Sequence, residues 1–282
     1  MHHQIKSKLM SKYIFGLLIV IGTVWIGSCK KPLDVVGAYD INSNNTSAYL
    51  KFIHASPNFR SIWNTADTLN LFVNNTRLNS ASLSYGAIFP FSVNTSTTTI
   101  SATYAMVPAG AVQIKLSVPG VENSDSFPVL NLDRNLIAGN HYTFLLTDSI
   151  QNQRDSSKIF LIDSATAPEL PGYYNLRFIH AAATDSVDVF SFARNANIIS
   201  RVKRNGVTDF LMLSYNVGVS DTIIVRKSVL PAGTGPILAK YPLNAANIGS
   251  GSLEKRSFTI YYQGDTLLTG TKAPALRSYF NF

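Results

Sequence analysis

The sequence predicts an all-β fold in which two tandem immunoglobulin-like β-sandwich domains follow a signal peptide and a flexible tether. The segment 112–118 alternates apolar and polar residues, which predicts a strand whose apolar side chains lie in a core while polar ones such as Ser117 face water. Turn signals separate such segments, and Asn205-Gly206 among them predicts a β-hairpin. No stretch has the pattern of a long amphipathic helix, so strands and turns are expected throughout.

The first 28 residues have the composition of a lipoprotein signal peptide. Three lysines precede an apolar run over residues 13–27, which is shorter than the about 20 residues that a membrane-spanning helix needs. The run ends in Ile26-Gly27-Ser28-Cys29, which resembles a bacterial lipobox. We therefore expect cleavage before Cys29, the only cysteine of the chain, and attachment of lipid to its thiol. The alternative is a retained anchor helix, which would also place the remaining chain outside the cytoplasm.

Residues 29–47 are predicted to tether the folded part to the membrane. The polar stretch 42–46 has the composition of a flexible linker, and several acyl chains on Cys29 would anchor it stably. Because Lys30 and not an aspartate follows the cysteine, we expect the outer membrane, with the protein facing the periplasm or the cell surface. A nucleic-acid partner is not expected for an exported chain, despite its net charge of +8.

A sequence repeat predicts the two domains. The segment LKFIHA at residues 50–55 returns as LRFIHA at residues 176–181. Three further pairs of segments follow in the same order, which indicates duplication of a whole domain and not of a single motif. These pairs are residues 68–72 with 186–190, residues 83–85 with 213–215, and residues 141–146 with 257–262.

The repeat places the first β-sandwich domain at residues 48–165, a linker at 166–172 and the second domain at 173–282. Pro168 and Pro171 in the linker exclude both a helix and a central strand. Hydrophobic residues make up 46% of the 282 residues, which is enough to fill packed cores. Two units of roughly seven to nine strands each fit a pair of sandwiches better than one barrel.

Residues 51–58 (KFIHASPN), followed by residues 69–73 (LNLFV) and 83–86 (LSYG), resemble the domain of unknown function 4397 family. The second copy keeps RFIHA at residues 177–181 but has Ala182-Ala183 where the pattern has Ser-Pro. The resemblance covers about residues 48–282. It implies an exported β-sandwich module and brings no established chemistry with it.

Two equivalent histidines are the first candidate site. Alternation places His54 on the same strand face as Leu50 and Phe52, so His54 and His180 are predicted to lie in the cores and to bond a neighbouring loop backbone. The alternative is a ligand-binding or catalytic role. Asn70 and Asp188 are also equivalent, and an acid there could pair with the nearby histidine, although Asn70 cannot act as an acid or base.

Neither a catalytic nor a metal site is predicted. No Ser or Cys nucleophile lies in a recognisable elbow beside either histidine. The five histidines, with His2 and His3 in the signal peptide and the others at His54, His141 and His180, have no metal-ligand spacing. We therefore expect no cofactor.

Two exposed features are candidates for binding. Trp63, in a predicted loop after the first strand, is a candidate ligand contact that could stack on a sugar ring, or it could cover the end of the core. Arg201, Lys203 and Arg204 cluster beside the Asn205-Gly206 turn, where they could meet anionic polysaccharides or be a solvated edge that discourages strand pairing.

These features predict a membrane-anchored cell-envelope lipoprotein with a non-enzymatic binding, adhesion or scaffold role toward a glycan or an envelope protein. The alternative is an envelope hydrolase whose site lies at the domain junction. The sequence leaves the oligomeric state open.

Overall fold

A computed structural model describes residues 46–64, 66–91, 102–119, 127–148, 158–163, 165–215, 220–244 and 253–281. Almost all regular structure in these residues is β-strand; the helical segments among them are α1 (Phe59–Trp63) and a 3-10 helix at Gly270–Lys272. The predicted all-β fold is therefore confirmed. The predicted signal peptide, Cys29 and the tether up to Asn45 lie outside the described residues.

The first half of the described chain, residues 46–163, forms two sheets. Its strands are β1 (Ser47–His54), β2 (Thr68–Val73), β3 (Thr76–Arg77), β4 (Leu83–Ser84), β5 (Ile88–Phe89), β6 (Ala105–Pro108), β7 (Gly110–Val118), β8 (Phe127–Leu136), β9 (His141–Leu146) and β10 (Lys158–Ile162). One sheet has the order β10-β9-β1-β5, with β6 also pairing with β1, and the other has the order β3-β2-β7-β8, with β4 also pairing with β2. β1 and β9 run parallel.

The second half, residues 165–281, repeats this arrangement. Its strands are β11 (Tyr173–His180), β12 (Val187–Ser191), β13 (Ala196–Val202), β14 (Leu211–Ser214), β15 (Thr222–Lys227), β16 (Ile237–Pro242), β17 (Ser257–Gln263) and β18 (Ala275–Phe280). The sheet orders are β14-β11-β17-β18 and β13-β12-β15-β16. β11 and β17 are again parallel.

Each half buries a core between its two sheets. Leu50 and Phe52 of β1 meet Leu71 of β2 and Ile114 of β7, and all four side chains are fully buried. Burial of each such side chain contributes about 1.5–3 kcal/mol. The corresponding core residues of the second half are Leu176, Phe178, Val189 and Val225.

A third apolar cluster joins the two halves. Ile53 of β1 and Ile179 of β11 point away from their own cores and pack in this cluster with Leu145 and Tyr261. β1 and β11 are therefore buried on both faces, which explains why their sequences are nearly continuously apolar. Both halves consequently belong to one compact unit.

Asn205-Gly206 forms a turn but not a β-hairpin, so that prediction is wrong. The preceding strand β13 pairs with β12, while the next strand, β14, pairs with β11. The turn therefore carries the chain from one sheet to the other. It is held against β11 because the Asn205 N–H donates to the His180 carbonyl oxygen at 2.7 Å.

The pairing of residues 83–85 with 213–215 is also wrong, although both read Leu-Ser-Tyr. Leu83 lies in β4 opposite Leu69 of β2, whereas Leu213 lies in β14 opposite Tyr174 of β11. The two segments thus belong to non-equivalent sheets. The residue of the second half that takes the place of Leu83 is Val202, opposite Val187.

The alternation in β7 holds for its apolar residues but not for Ser117. Val112, Ile114 and Leu116 are buried as predicted, yet Ser117 is buried too. Ser117 lies opposite Asn70 in the sheet, and Asn79 from the segment after β3 donates a hydrogen bond to Asn70. The outer face at this point is therefore shielded from water.

Candidate functional site

His54 lies in the first core, as predicted, and is fully buried. Its ring centroid lies 5.3 Å from that of Phe59 and 6.2 Å from that of Tyr85, and both contacts are edge-to-face. Neither ring nitrogen has a hydrogen-bond partner among the described residues, so the predicted bond to a loop backbone is wrong here. Burial lowers the pKa of His54 to about 4, against a smaller opposing effect of the Asp67 carboxylate, so the ring is neutral at pH 7.

His180 makes the predicted bond. Its Nε2 lies 2.7 Å from the carbonyl oxygen of Asp185 and 3.3 Å from the Thr184 hydroxyl. Burial lowers the pKa of His180, so the neutral ring donates to the carbonyl from Nε2. A buried side chain thereby holds residues 183–186, a short surface loop, in one position.

Asn70 and Asp188 hold loops and do not pair with the histidines. Asn70 Oδ1 accepts hydrogen bonds from Asn79 Nδ2 and Ser82 Oγ, at 3.2 and 3.0 Å. The Asp188 carboxylate accepts three hydrogen bonds. The donors are the backbone N–H groups of Arg201 and Gly233, both at 2.8 Å, and the Ser228 hydroxyl at 2.9 Å.

The surroundings of Asp188 keep its carboxylate ionised. Burial by itself would raise its pKa, but the two backbone N–H bonds and the Ser228 hydroxyl outweigh burial, and the pKa of Asp188 falls below its ordinary value. A carboxylate held by three donors stabilises the surrounding loops, and its lowered pKa makes it a weak base.

A polar cluster, which we call the junction cluster, lies between the two halves around Asp163. The Asp163 carboxylate forms an ion pair with Arg177 and accepts hydrogen bonds from the Tyr104 hydroxyl at 2.6 Å, from Thr143 and from Asn281. Arg177 and Asn281 come from the second half, and the other residues from the first. The cluster therefore links the two halves through a buried charge pair.

Lys51 lies beside the junction cluster, at the position in the first half that Arg177 has in the second. Its ammonium donates to the Thr103 carbonyl oxygen and lies 4.3 Å from the Tyr104 ring centroid. Burial lowers the pKa of Lys51 to about 8, with the Asp163 charge opposing the decrease. The space between the two halves is thus filled by polar groups that bond to each other and by apolar side chains.

The junction cluster was not predicted from the sequence, although the sequence indicates that its cations need partners. Lys51 and Arg177 interrupt two otherwise apolar, repeated strands, and a cation in such a strand needs a buried partner. The partner, Asp163, follows β10. The equivalent position after β18 is occupied by Asn281, so the second half has no acid there.

Trp63 lies at the end of α1, where it is partly buried and packs against the first core. Its ring centroid is 6.4 Å from that of the fully buried Phe59. This placement matches the alternative in which Trp63 covers the end of the core; its role as a ligand contact stays a prediction. Asn64, which ends α1, has a left-handed backbone that turns the chain back toward β2.

An open polar depression lies beside His180, and we call it the Arg204 depression. Its volume is about 790 Å³, within the range of about 300–1,000 Å³ that is common for small-ligand sites. Arg204, one of the three predicted basic candidates, contributes to its wall; Arg201 and Lys203 are exposed nearby but do not line it. The lining residues are Ala183, Thr184, Asp185, Ser186, Arg204, Lys227, Ser228, Leu238 and Thr266.

The corresponding place in the first half is filled. The Gly86 N–H donates to the His54 carbonyl oxygen as the Asn205 N–H donates to that of His180, so Tyr85 corresponds to Arg204. The Tyr85 ring packs edge-to-face against His54, and so does the Phe59 ring from α1. The first half therefore has an aromatic plug where the second has a depression.

The sequence matches the model of a family described as domain of unknown function (DUF4397) over residues 48–190, just over half of the chain. The chain belongs to this family. In this DUF4397 protein the match covers the first half from residue 48 onward and continues through β11 and most of β12. No curated protein matches the chain.

The described residues also bear on membrane insertion and metal binding. No helix in that part of the chain is both long and apolar enough to cross a membrane. Within the same ranges, no three His, Cys, Asp or Glu side chains are grouped so that they could hold a metal ion.

Proposed function

We propose that this DUF4397 protein is an envelope lipoprotein, lipidated at Cys29 and held at the outer membrane, that binds a glycan or an envelope protein without catalysing a reaction. The Ile26-Gly27-Ser28-Cys29 segment and the short apolar run before it support the anchor. The polar residues 42–46 would hold the folded part away from the membrane surface.

The proposal includes two immunoglobulin-like copies of one family module. Equivalent strands support this duplication: Leu50 lies opposite Tyr142 in the parallel pair of the first half, and Leu176 lies opposite Phe258 in that of the second. The wrong pairing of residues 83–85 removes one sequence argument but not the duplication, because Val202 takes the place of Leu83 in the register.

The Arg204 depression is the observation that carries the binding role. It is open, and its rim is rich in hydroxyl groups. The loop along one side is held by His180, and Ser228, which follows the neighbouring strand β15, is held by Asp188. A site formed before its ligand arrives loses little conformational entropy on binding. Sugars and polar loops of proteins both suit such a surface.

The hydrolase alternative receives less support from the geometry. It needs reactive groups in an accessible site at the junction, and the junction contains a buried ion pair and the apolar cluster of Ile53, Ile179 and Tyr261. Asp163 is committed to Arg177 and to three hydroxyl or amide donors.

The anchor and the binding role are tested separately. Mass spectrometry of the native protein should find Cys29 as the first residue, carrying acyl chains, and Cys29→Ala should leave an unprocessed precursor. Glycan arrays and pull-downs with the mature protein should yield a partner, and Trp63→Ala in the same assays tests the predicted ligand contact. Retention of residues 1–28 with a free thiol would refute the anchor, and the lack of any partner would refute the binding role.

A further inference from the structure

We propose that the Arg204 depression binds a sugar that carries an anionic group, a carboxylate or a phosphate. This inference rests on the proposed glycan-binding function and names its ligand class. Three features of the depression support it: two cations that form no ion pair with a carboxylate among the described residues, a rim of hydroxyl groups, and loops already held in place.

The cations select the charge of the ligand. Arg204 and Lys227 both line the depression, and neither forms an ion pair with a carboxylate of the described residues. Among the described residues that line the depression, Asp185 is the acid that opposes these two cations, so this part of the wall has an excess of positive charge. A guanidinium offers paired N–H donors that match a carboxylate or phosphate, and an ammonium adds a second charge to the same anion.

The hydroxyl groups select a polyol and not a simple ion. A hydroxyl that is not already bonded can both donate and accept a hydrogen bond, as the hydroxyls of a sugar ring require, and the Ser228 hydroxyl, whose proton goes to Asp188, can still accept one. Two of them are already oriented, since the Ser228 hydroxyl donates to Asp188 at 2.9 Å and the Thr184 hydroxyl lies 3.3 Å from His180 Nε2. The other two belong to Ser186 and Thr266, and Leu238 supplies an apolar patch for the face of a ring.

The depression is held by contacts behind its walls. His180 fixes the loop at residues 183–186 through the Asp185 carbonyl oxygen. Lys227 belongs to β15 and lies opposite Val187 of β12, and Asp188 ties Ser228 to the same strand. The ligand would therefore meet side chains whose backbone does not have to move.

The first half cannot bind the same ligand. Tyr85 corresponds to Arg204, as shown above. Val118 corresponds to Lys227, because each follows the residue that pairs with one of the equivalent positions Asn70 and Asp188. Both cations are thus replaced by uncharged residues, so the protein should have one such site and not two.

The test is titration of the full mature protein with glucuronic acid, glucose 6-phosphate and glucose, followed by amide chemical shifts in NMR. We expect at least one acidic sugar to shift the amides of Thr184, Ser186, Arg204 and Ser228 and to bind about tenfold or more tightly than glucose, as one charge-assisted hydrogen bond would allow. The two acids distinguish a carboxylate from a phosphate. Saturating shifts elsewhere, equal binding of glucose, or no shifts with either acid would overturn the inference.

Substitutions distinguish binding in the Arg204 depression from a general attraction of the anion to a positively charged surface. Arg204→Ala with Lys227→Ala should weaken the binding of the acidic sugar about tenfold or more, while Lys203→Ala, the loss of an exposed cation just outside the depression, should leave it unchanged. All three side chains are exposed, so urea unfolding should not change. An array that finds a neutral glycan or a protein partner whose binding survives the double substitution would overturn the anionic site and leave the proposed function intact.

Discussion

The two halves of the protein share a framework and differ in the segment that follows the repeated histidine. Between β1 and β2 the first half has a long connection that contains α1, and Phe59 from this helix packs on His54. Between β11 and β12 the second half has a short loop whose backbone bonds to His180. A few residues of loop length thus decide whether the end of a sandwich is plugged or open.

The halves also differ where they meet. Lys51 and Arg177 are equivalent, as are Asp163 and Asn281, but the ion pair joins Arg177 to Asp163, one residue from each half. The two halves, which have similar strand orders, are therefore joined by an asymmetric contact. Substitutions at equivalent positions should consequently have unequal effects.

The largest expected effect concerns this asymmetry. Arg177→Met leaves the Asp163 carboxylate buried without its cation and should lower the free energy of unfolding by about 3–5 kcal/mol. The equivalent Lys51→Met should cost about 1 kcal/mol or less, because it removes a cation whose charged form burial already disfavours. Urea unfolding of both variants measures the difference. Equal losses would show that the two cations contribute alike.

Removal of the aromatic plug should be nearly as costly. Phe59→Ala opens a cavity beside His54 and should destabilise the protein by about 3–4 kcal/mol. Phe192→Ala is the control, since that ring is 67% exposed and its loss should change stability by less than about 0.5 kcal/mol. Thermal and urea unfolding would show whether α1 is part of the core, as the contacts indicate, or a dispensable cover.

The buried histidine should make stability depend on pH. The folded pKa of His54, about 4, lies below its unfolded value of 6.5, so the unfolded chain takes up the proton first as the pH falls. The contribution of His54 should therefore lower stability between pH 6.5 and about 4 and stay constant below that range, with roughly 3 kcal/mol attributable to this group.

His54→Leu isolates the contribution of this residue. It should flatten the decrease measured by urea unfolding at several pH values, while the part that remains includes His180, whose lowered pKa acts in the same direction. An unchanged profile in the variant would mean that His54 is not held neutral by burial.

The smallest expected effect compares Asp188 with Asn70. Asp188→Asn places an NH₂ group against an N–H donor of Arg201 or Gly233 and should cost about 1–2 kcal/mol. Asn at the equivalent position 70 causes no such conflict, because its oxygen receives both donors from Asn79 and Ser82. Asp185→Asn, at an exposed position, is the control and should be neutral. A neutral result for Asp188→Asn would show that these loops tolerate a lost bond.

Most strands could be anticipated from alternation and turns, and the errors have local causes. Ser117 has the expected phase but is buried opposite Asn70, which accepts a hydrogen bond from Asn79 of another strand connection. Leu83-Ser84-Tyr85 and Leu213-Ser214-Tyr215 are identical in sequence, yet their partners place them in different sheets. Identity over three residues contains no information about which neighbour a strand will find.

The chemistry of individual residues and their near neighbours is enough to predict an all-β chain, its repeated framework, and the burial of His54 and His180. The junction cluster and the Arg204 depression depend instead on distances between remote residues: Asp163 with Arg177 across the two halves, and Arg204 with Lys227 and Thr266 around one opening. Charge and hydrogen-bond complementarity act between groups that are close in space. Those distances depend on how the strands pair, and the order of residues along the chain does not specify them.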